Sequence, residues 1–464
     1  MTAASHAGIP EEIFRAYDIR GIYSDTLTLD GVRLIGQAIG SEAAERGEQR
    51  LLVAADGRLS SPAVLAALVE GLTASGRDVI DLGAVPTPVL YFALAGTSPG
   101  SGVMVTASHN PPDHNGLKIA LQGRNLAGEE IHDLWQRSRT GRFTTGSGQV
   151  TTADVVPRYL DEVASDIHIA RRLKLVVDCG NGIAGGIAPG LFQRLGCEVV
   201  PLFCEVDGSF PNHPPDPLVP ENLVALIAAV KAQSADLGIG IDGDGDRMIA
   251  VTGEGMIAWP DRLLMLFVQA ILPEHPGARV VYDVKSSKYL ADIISDLGGQ
   301  PVMSRSGHSY LKLRMLEEDA LIGGEMTGHL CFRDRWNGFD DGLYAAARLL
   351  EIVGAQSDNL DTLLAKLPFS VVTPEIHIPV AETEKFEIVD RLVAAADFAD
   401  GKVTTIDGLR VDFADGWGLI RASNTNPVLT LRFEANSRSS LDIIQRRFRE
   451  LVHRVDADLD FEGD

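Results

Sequence analysis

Three stretches of this chain repeat one pattern: an apolar run ending in a carboxylate, a loop of small residues, a helical stretch, and a Gly-led step into a second apolar run. They read "LLVAADGRLSSPAVLAALVEGLTASGRDVIDLG", "LKLVVDCGNGIAGGIAPGLFQRLGCEVVPLF" and "ARVVYDVKSSKYLADIISDLGGQPVMSR", with Asp56, Asp178 and Asp283 at the strand ends. After each come a further helical stretch and a short apolar run that opens into a Gly-rich or polar loop: "SGVMVTASHN", "ADLGIGIDGDGDR" and "DALIGGEMTGH". Strands alternating with helices at this spacing predict α/β domains with mostly parallel pairing, whose ligands gather beyond the strand ends. The least ordinary chemistry in the chain falls at the same place in each copy.

Past about residue 370 the pattern changes. "KFEIVDRLVAAA" predicts a helix, "KVTTIDGLRVDF" a hairpin with Asp407-Gly408 in its turn, "GLIRASNTNPVLTLRFEA" two strands around a polar loop, and "SLDIIQRRFRELVHRV" a closing helix. The expected fold is three similar α/β mixed-sheet domains, at 1–150, 151–255 and 256–368, and a smaller α+β domain at 369–464.

A formal net charge of −23 argues against nucleic acid or an anionic membrane as partner, since both need a cationic surface. An anionic small molecule would need a local cluster of Arg, Lys and His. The N-terminal residues carry no basic, apolar leader pattern, and the longest apolar stretch, Leu263 to Leu272, is too short to span a bilayer. A cytoplasmic monomer is expected. Cys179, Cys197, Cys204 and Cys331 show no CxxC pair and are expected to be core thiols.

In "IDGDGDR" (241–247), glycines between Asp242, Asp244 and Asp246 let three carboxylates face one point, a hard oxygen set suited to Mg2+ or Ca2+. An EF-hand loop is excluded because its twelfth position would be Gly253. Arg247 is placed to hold an anion that the metal also binds. In "GVMVTASHNPP", Pro111 and Pro112 force the chain to turn near Ser108, which is thereby displayed at a strand tip. His109 is not expected to serve it as a base, because adjacent side chains on an extended chain point to opposite sides. Beside a divalent metal and cations, a serine suits the carriage of a phosphoryl group, and Lys118 supplies a cation or a proton. "GGEMTGH" (323–329) offers Glu325, Thr327 and His329 to a polyol, and "RASNTNP" (421–427) offers Arg421, Ser423, Asn424 and Thr425 to a phosphate, with a structural turn as the alternative reading of the first and a plain polar turn of the second.

Together "FRAYDIRG" (14–21), "TASHNP" (106–111), "DGDGDR" (242–247), "GEMTGH" (324–329) and "RASNTNP" resemble the α-D-phosphohexomutase family, in its bacterial phosphomannomutase/phosphoglucomutase branch. The resemblance runs from about residue 10 to about 455, with the motifs in family order. It implies four domains around a central cleft and interconversion of hexose 1- and 6-phosphates, of mannose, glucose or both. In such enzymes the serine matching Ser108 is phosphorylated, the trio matching Asp242, Asp244 and Asp246 holds Mg2+ with it, and glucose 1,6-bisphosphate is intermediate and activator. It further implies that Tyr17, Arg20, Lys118, Arg247, Lys285, His308 and His329 line the cleft, with Lys118 and His329 moving protons. Glu325 and Thr327 would hold ring hydroxyls, and Arg421, Ser423, Asn424 and Thr425 the phosphate that is not reacting. Ala422 replaces a frequent proline and Thr327 a frequent serine. The competing readings are a phosphoglucosamine mutase, against which Met326 leans because that branch more often has Gln there, a metal-dependent sugar phosphatase, and a silent sugar-phosphate sensor.

Overall fold

The computed structural model describes residues 9–97, 100–424 and 426–461. The chain forms two compact units, Met1–Leu263 with Thr327–Thr362 and Leu264–Met326 with Leu363–Asp464. The repeat seen in the sequence is a repeat of topology. Arg50–Ala55 lies between Asp78–Ala84 and Gly102–Val105, parallel to both. Lys174–Asp178 lies in the same way between Glu198–Leu202 and Leu237–Ile241. In the second unit Arg279–Asp283 lies between Gln300–Ser304 and Ile322–Gly324.

Each central strand is buried along its length after the first residue, as parallel strands covered by helices on both faces must be. Antiparallel strands make the two sheets of the first unit mixed: His114–Leu121 pairs with Gly102–Val105, and Met248–Thr252 with Leu237–Ile241.

The strand-end carboxylates have a structural reason. Where a buried strand stops, its continuing backbone leaves N–H groups that need acceptors. Asp56 Oδ1 accepts from the Arg58 amide at 3.1 Å, Asp178 Oδ1 from the Gly180 amide at 2.8 Å, and Asp283 Oδ1 from the Met326 amide at 3.2 Å and the Ser286 hydroxyl at 2.7 Å. The three loops of unusual composition all come after the third strand of their triplet, beyond Val105, Ile241 and Gly324.

The C-terminal part of the second unit is an antiparallel sheet built on the hairpin of Gly416–Ala422 and Val428–Ala435. Leu409–Asp412 and Lys402–Thr404 extend it on one side. Val371–Val372 and Ile376–Pro379, two short strands that the sequence pattern does not announce, both pair with Val428–Ala435 on the other. Helix Arg438–Val455 is capped by the Ser437 hydroxyl, which accepts from the Ser440 amide. Leu441, Ile444, Phe448, Leu451 and Val452 recur on one face and are buried, each large side chain stabilising the fold by about 1.5–3 kcal/mol. Within this unit Arg410 stacks over Trp417 at 4.0 Å and donates to the carbonyls of Val284 and Ser286 at 2.6 and 2.8 Å, tying the sheet to the loop that carries Lys285.

Candidate active site

Ser108 sits at the end of Gly102–Val105, buried, with φ +49°, the left-handed region that few residues other than glycine enter. This backbone turn is held from two directions. The Ser108 amide donates to Thr106 Oγ1 at 2.8 Å, and the Arg58 guanidinium donates to the carbonyls of Ser108, Asn110, Pro111 and His114 at 2.8, 2.6, 2.6 and 3.0 Å. Arg58 is itself fixed by Asp56, the strand-end carboxylate. The strand ends at Val105, well before Pro111 and Pro112, and Arg58 shapes the loop that contains them.

The turned conformation changes the reading of His109. The chain is not extended at Ser108, so His109 Nδ1 lies 3.2 Å from Ser108 Oγ rather than on the opposite side. Burial, with Arg247 and Arg20 nearby, holds that imidazole well below the usual histidine range, so it is neutral.

The Ser108 hydroxyl donates to Asp242 Oδ2 at 2.7 Å, and Arg247 Nη2 approaches the same hydroxyl at 3.5 Å. The donor oxygens of Asp242, Asp244 and Asp246 all lie within 4.8 Å of one another, and all three residues are fully buried. Two cations share the trio: Arg247 Nε donates to Asp242 Oδ2 at 3.0 Å, and Lys118 Nζ donates to Asp244 Oδ2 at 2.7 Å and to Asp246 Oδ2. Thr87 Oγ1 adds a bond to Asp244 Oδ2 at 2.5 Å. Burial and mutual repulsion push Asp242 and Asp246 up to about 7; burial acts on Asp244 in the same direction, but Lys118 overcomes it and holds that carboxyl below the usual range.

This donor set fits a divalent cation. Asp244 Oδ1 and Asp246 Oδ1 are buried without a hydrogen-bond partner among the described residues, which is costly for a carboxylate unless a cation completes it. All the donors are hard oxygens, the type that Mg2+ and Ca2+ take.

Around this centre stand other residues expected from the sequence. Arg20 Nε donates to Asp18 at 2.8 Å and Arg20 Nη1 to the Asn110 side chain at 2.6 Å, so Arg20 reaches the serine loop. Tyr17 is half-buried in the turn before Ile19–Ile22 and lies close enough to influence Arg20 electrostatically. His329 bridges backbone to backbone with Arg247, and its Nδ1 stands 2.9 Å from Asp340 Oδ2 and 3.7 Å from Asp246 Oδ1. Lys118, which by sequence alone could be a solvated strand lysine, has a side chain only 2% exposed that points at the carboxylates.

Most of the remaining expected residues belong to the second unit, where Arg421, Asn424 and Glu325 gather around the Ser306–Gly307 backbone. Arg421 Nε pairs with Asp407 Oδ2 at 3.0 Å, and the same oxygen accepts from the Ser306 amide at 2.9 Å. Asn424 Nδ2 donates to the Ser306 carbonyl at 3.0 Å, while the next amide, that of Gly307, donates to Glu325 Oε1. His308 is the next residue, buried at the start of helix His308–Glu317. Arg421 Nη2 has no hydrogen-bond partner among the described residues, which leaves a buried guanidinium edge suited to an anion. Lys285 Nζ donates to Glu375 at 2.9 Å, and Arg432 holds the Lys285 carbonyl at 3.0 Å. Ser423 is buried and its hydroxyl accepts from the Asn426 amide at 3.2 Å; Thr425 lies outside the described residues. The motif "GEMTGH" spans the division, with Glu325 in the second unit and Thr327 and His329 in the first.

The sequence reading missed Arg58, Thr87, Asp340, Glu375 and Asp407. Each positions an expected residue, Arg58, Thr87 and Glu375 from a distant point of the chain, and only the turn residues Asp407-Gly408 carried any local signal.

The chain matches phosphoglucomutase/phosphomannomutase family models in order: α/β/α domain I over residues 11–145, domain II over 157–255, domain III over 259–370 and the C-terminal domain over 375–451. It is 50% identical over 459 residues to the phosphomannomutase/phosphoglucomutase of Pseudomonas aeruginosa, covering 99% of both chains. It is 48% identical over 450 residues to the phosphoglucomutase of Neisseria gonorrhoeae, covering 96% of this chain and 98% of that one. Among solved structures, a phosphoglucomutase/phosphomannomutase family protein from Burkholderia thailandensis superposes with a TM-score of 0.94 at 47% identity, over 98% of this chain and 100% of that one.

Proposed function

This chain belongs to the phosphoglucomutase/phosphomannomutase family of α-D-phosphohexomutases, and on that premise we propose that it reversibly interconverts hexose 1-phosphates and hexose 6-phosphates of mannose, glucose or both. The carrier is a phosphoserine at Ser108. The observation that supports this most is the buried Ser108 hydroxyl, 2.7 Å from Asp242, with Arg247 at its edge and Lys118 behind the carboxylates. A serine so placed has a guanidinium at its edge and a carboxylate trio that a divalent cation would neutralise, and phosphoryl transfer needs such neutralisation more than it needs a strong base.

Phosphoserine gives its phosphoryl group to the free hydroxyl of a hexose monophosphate: the bond to Ser108 Oγ breaks as the bond to the sugar oxygen forms, and the hydroxyl proton passes to the protein. Glucose 1,6-bisphosphate, or its mannose counterpart, is the resulting intermediate and the activator. It turns end for end and returns its other phosphoryl group to Ser108. Asp242, Asp244, Asp246 and the Ser108 oxygen would hold Mg2+, which when bound supplies two positive charges beside the phosphoryl oxygens.

The other roles are those the family resemblance implies, and charge and donor type agree with them. Arg20 and Arg247 hold phosphoryl oxygens, Lys118 and His329 exchange protons with the reacting hydroxyls, and Tyr17, Lys285 and His308 contact the substrate. Glu325 and Thr327 take ring hydroxyls common to both orientations. Arg421, Ser423, Asn424 and Thr425 take the phosphate that is not reacting, a contact needed in substrate, intermediate and product alike. Domains at 1–150, 151–255, 256–368 and 369–464, a monomeric state and a cytoplasmic location are part of the same proposal; no helix among the described residues is long and apolar enough to cross a membrane.

A coupled assay on glucose 1-phosphate, mannose 1-phosphate and glucosamine 1-phosphate side by side tests it. Turnover of the first two above the third is expected. Preference for glucosamine 1-phosphate would make the protein a phosphoglucosamine mutase, and release of inorganic phosphate in place of isomerisation would make it a phosphatase.

A further inference from the structure

The cysteines, expected to be inert core thiols, are not equivalent. Cys179 and Cys204 stand at the C-terminal ends of the paired parallel strands Lys174–Asp178 and Glu198–Leu202, with their sulfurs 3.7 Å apart. Two backbone bonds tie their loops together: the Cys179 amide donates to the Leu202 carbonyl at 3.3 Å and the Asn181 amide to the Phe203 carbonyl at 2.8 Å. Cys179 is buried and Cys204 is partly exposed.

We propose that Cys179 and Cys204 form a reversible dithiol–disulfide site, oxidised by hydrogen peroxide, that controls the proposed mutase centre. The Cys204 thiolate attacks the peroxide oxygen, forming sulfenic acid and expelling hydroxide, which takes up a proton to become water. The Cys179 sulfur then attacks the Cys204 sulfur, the S–S bond forms, and the sulfenic oxygen leaves as a second water. Two thiols are oxidised and one peroxide is reduced. The two sulfurs share one weak hydrogen bond, which holds Cys204 below the usual thiol range and, with burial, pushes Cys179 well above it. The more exposed cysteine is therefore the nucleophile, and its buried neighbour resolves the sulfenic acid.

Closing the bond moves the sulfurs together by roughly 1.6 Å from their present 3.7 Å. The Cys179 loop transmits that movement because it packs on the carboxylate loop. The Ile183 amide donates to the Gly243 carbonyl at 3.1 Å, and Gly182 is so close to Gly243 that a Cβ there would stand 2.7 Å from that carbonyl. Gly243 lies between Asp242 and Asp244 and packs in turn against the Ser108 carbonyl. Displacement of the reacting groups by ~1 Å costs up to ~100-fold in rate.

The effect on activity rests on the mutase reading, but formation of the disulfide does not, so the test measures both. The full-length protein is treated with hydrogen peroxide, freed of it, unfolded, alkylated and mapped by mass spectrometry. The expected result is a linked Cys179–Cys204 peptide pair lacking two hydrogens, with Cys197 and Cys331 still alkylated, since both are buried and burial pushes Cys197 up to about 11. Mutase turnover should fall by roughly 10- to 100-fold and return with dithiothreitol. Cys204→Ser should keep the basal turnover and resist peroxide, and Cys179→Ala should let Cys204 proceed to sulfinic acid. Two alkylatable thiols after peroxide, or sulfinic Cys204 in the parent protein without a link, would overturn the site. A linked protein with full turnover would overturn its control of activity.

Discussion

Replacing Lys118 with methionine tests how the buried carboxylate trio is balanced. Lys118 Nζ, itself buried, donates to Asp244 Oδ2 at 2.7 Å and to Asp246 Oδ2, while Arg247 serves Asp242. Methionine keeps the apolar stem and removes the charge, leaving two buried carboxylates without their shared partner. Breaking a buried pair from one side costs about 3–5 kcal/mol, because the remaining charge is neither solvated nor paired. In chelator, Lys118→Met should be destabilised by that amount. Mg2+ should recover part of it: a cation present at 100 times its dissociation constant stabilises the folded state by about 2.7 kcal/mol, and loss of the competing ammonium should tighten its binding further. The assay is thermal and denaturant unfolding of parent and variant, each with chelator and with saturating Mg2+. The gap between the two proteins should be wide in chelator and narrower in Mg2+. A variant as stable as the parent in chelator, or a gap that Mg2+ leaves unchanged, would refute the view that lysine and cation neutralise the same carboxylates.

The same geometry has other consequences. Arg421→Ala removes one charge-assisted phosphate contact worth about 1.5–3 kcal/mol, so KM should rise roughly 10- to 150-fold for glucose and mannose phosphates, and turnover should depend more on added glucose 1,6-bisphosphate. Unchanged KM in steady-state kinetics would make "RASNTNP" a plain turn. Chelation should abolish turnover and Mg2+ restore it, and Asp244→Ala should behave as the chelated parent; full turnover in excess chelator would exclude a metal role for the trio. Burial pushes Asp341 up to about 7, against its bonds from the Tyr344 amide and Tyr159 hydroxyl. A raised carboxyl contributes stability that is present below about pH 4 and lost as pH rises through about 7, by at most about 4 kcal/mol from the shift to about 7. Asp341→Asn, which keeps a helix-capping oxygen, should therefore gain on the parent between pH 5 and pH 8 in denaturant unfolding; a constant difference would show that Asp341 does not titrate there.

The topology was legible because the repeat writes it three times: the apolar run, the terminal carboxylate and the Gly-led second run each have a local physical cause. The chemistry of the loops was legible for a related reason, since Asp242, Asp244 and Asp246 alternate with glycines over a few residues and Ser108 is fenced by two prolines. What escaped was long-range. Arg58 shapes the serine loop through main-chain carbonyls some fifty residues away, and carbonyls leave no mark in a sequence. Asp407 and Glu375 orient Arg421 and Lys285 as single acidic residues among many. The contact of His109 with Ser108 escaped because a left-handed serine is rare, and the short strands at Val371–Val372 and Ile376–Pro379 are too brief to show a period.

The central claim is that Ser108 carries the phosphoryl group between the two ends of the sugar. Protein phosphorylated with labelled glucose 1,6-bisphosphate, freed of ligand and mixed with a small excess of unlabelled glucose 6-phosphate or mannose 6-phosphate in Mg2+, tests it in one turnover. The label should leave the Ser108 peptide and appear in a hexose 1,6-bisphosphate before it appears in any monophosphate, and Ser108→Ala should take up no label while still binding the sugar phosphate. Label found on another residue, or released as inorganic phosphate without passing through a bisphosphate, would contradict the account.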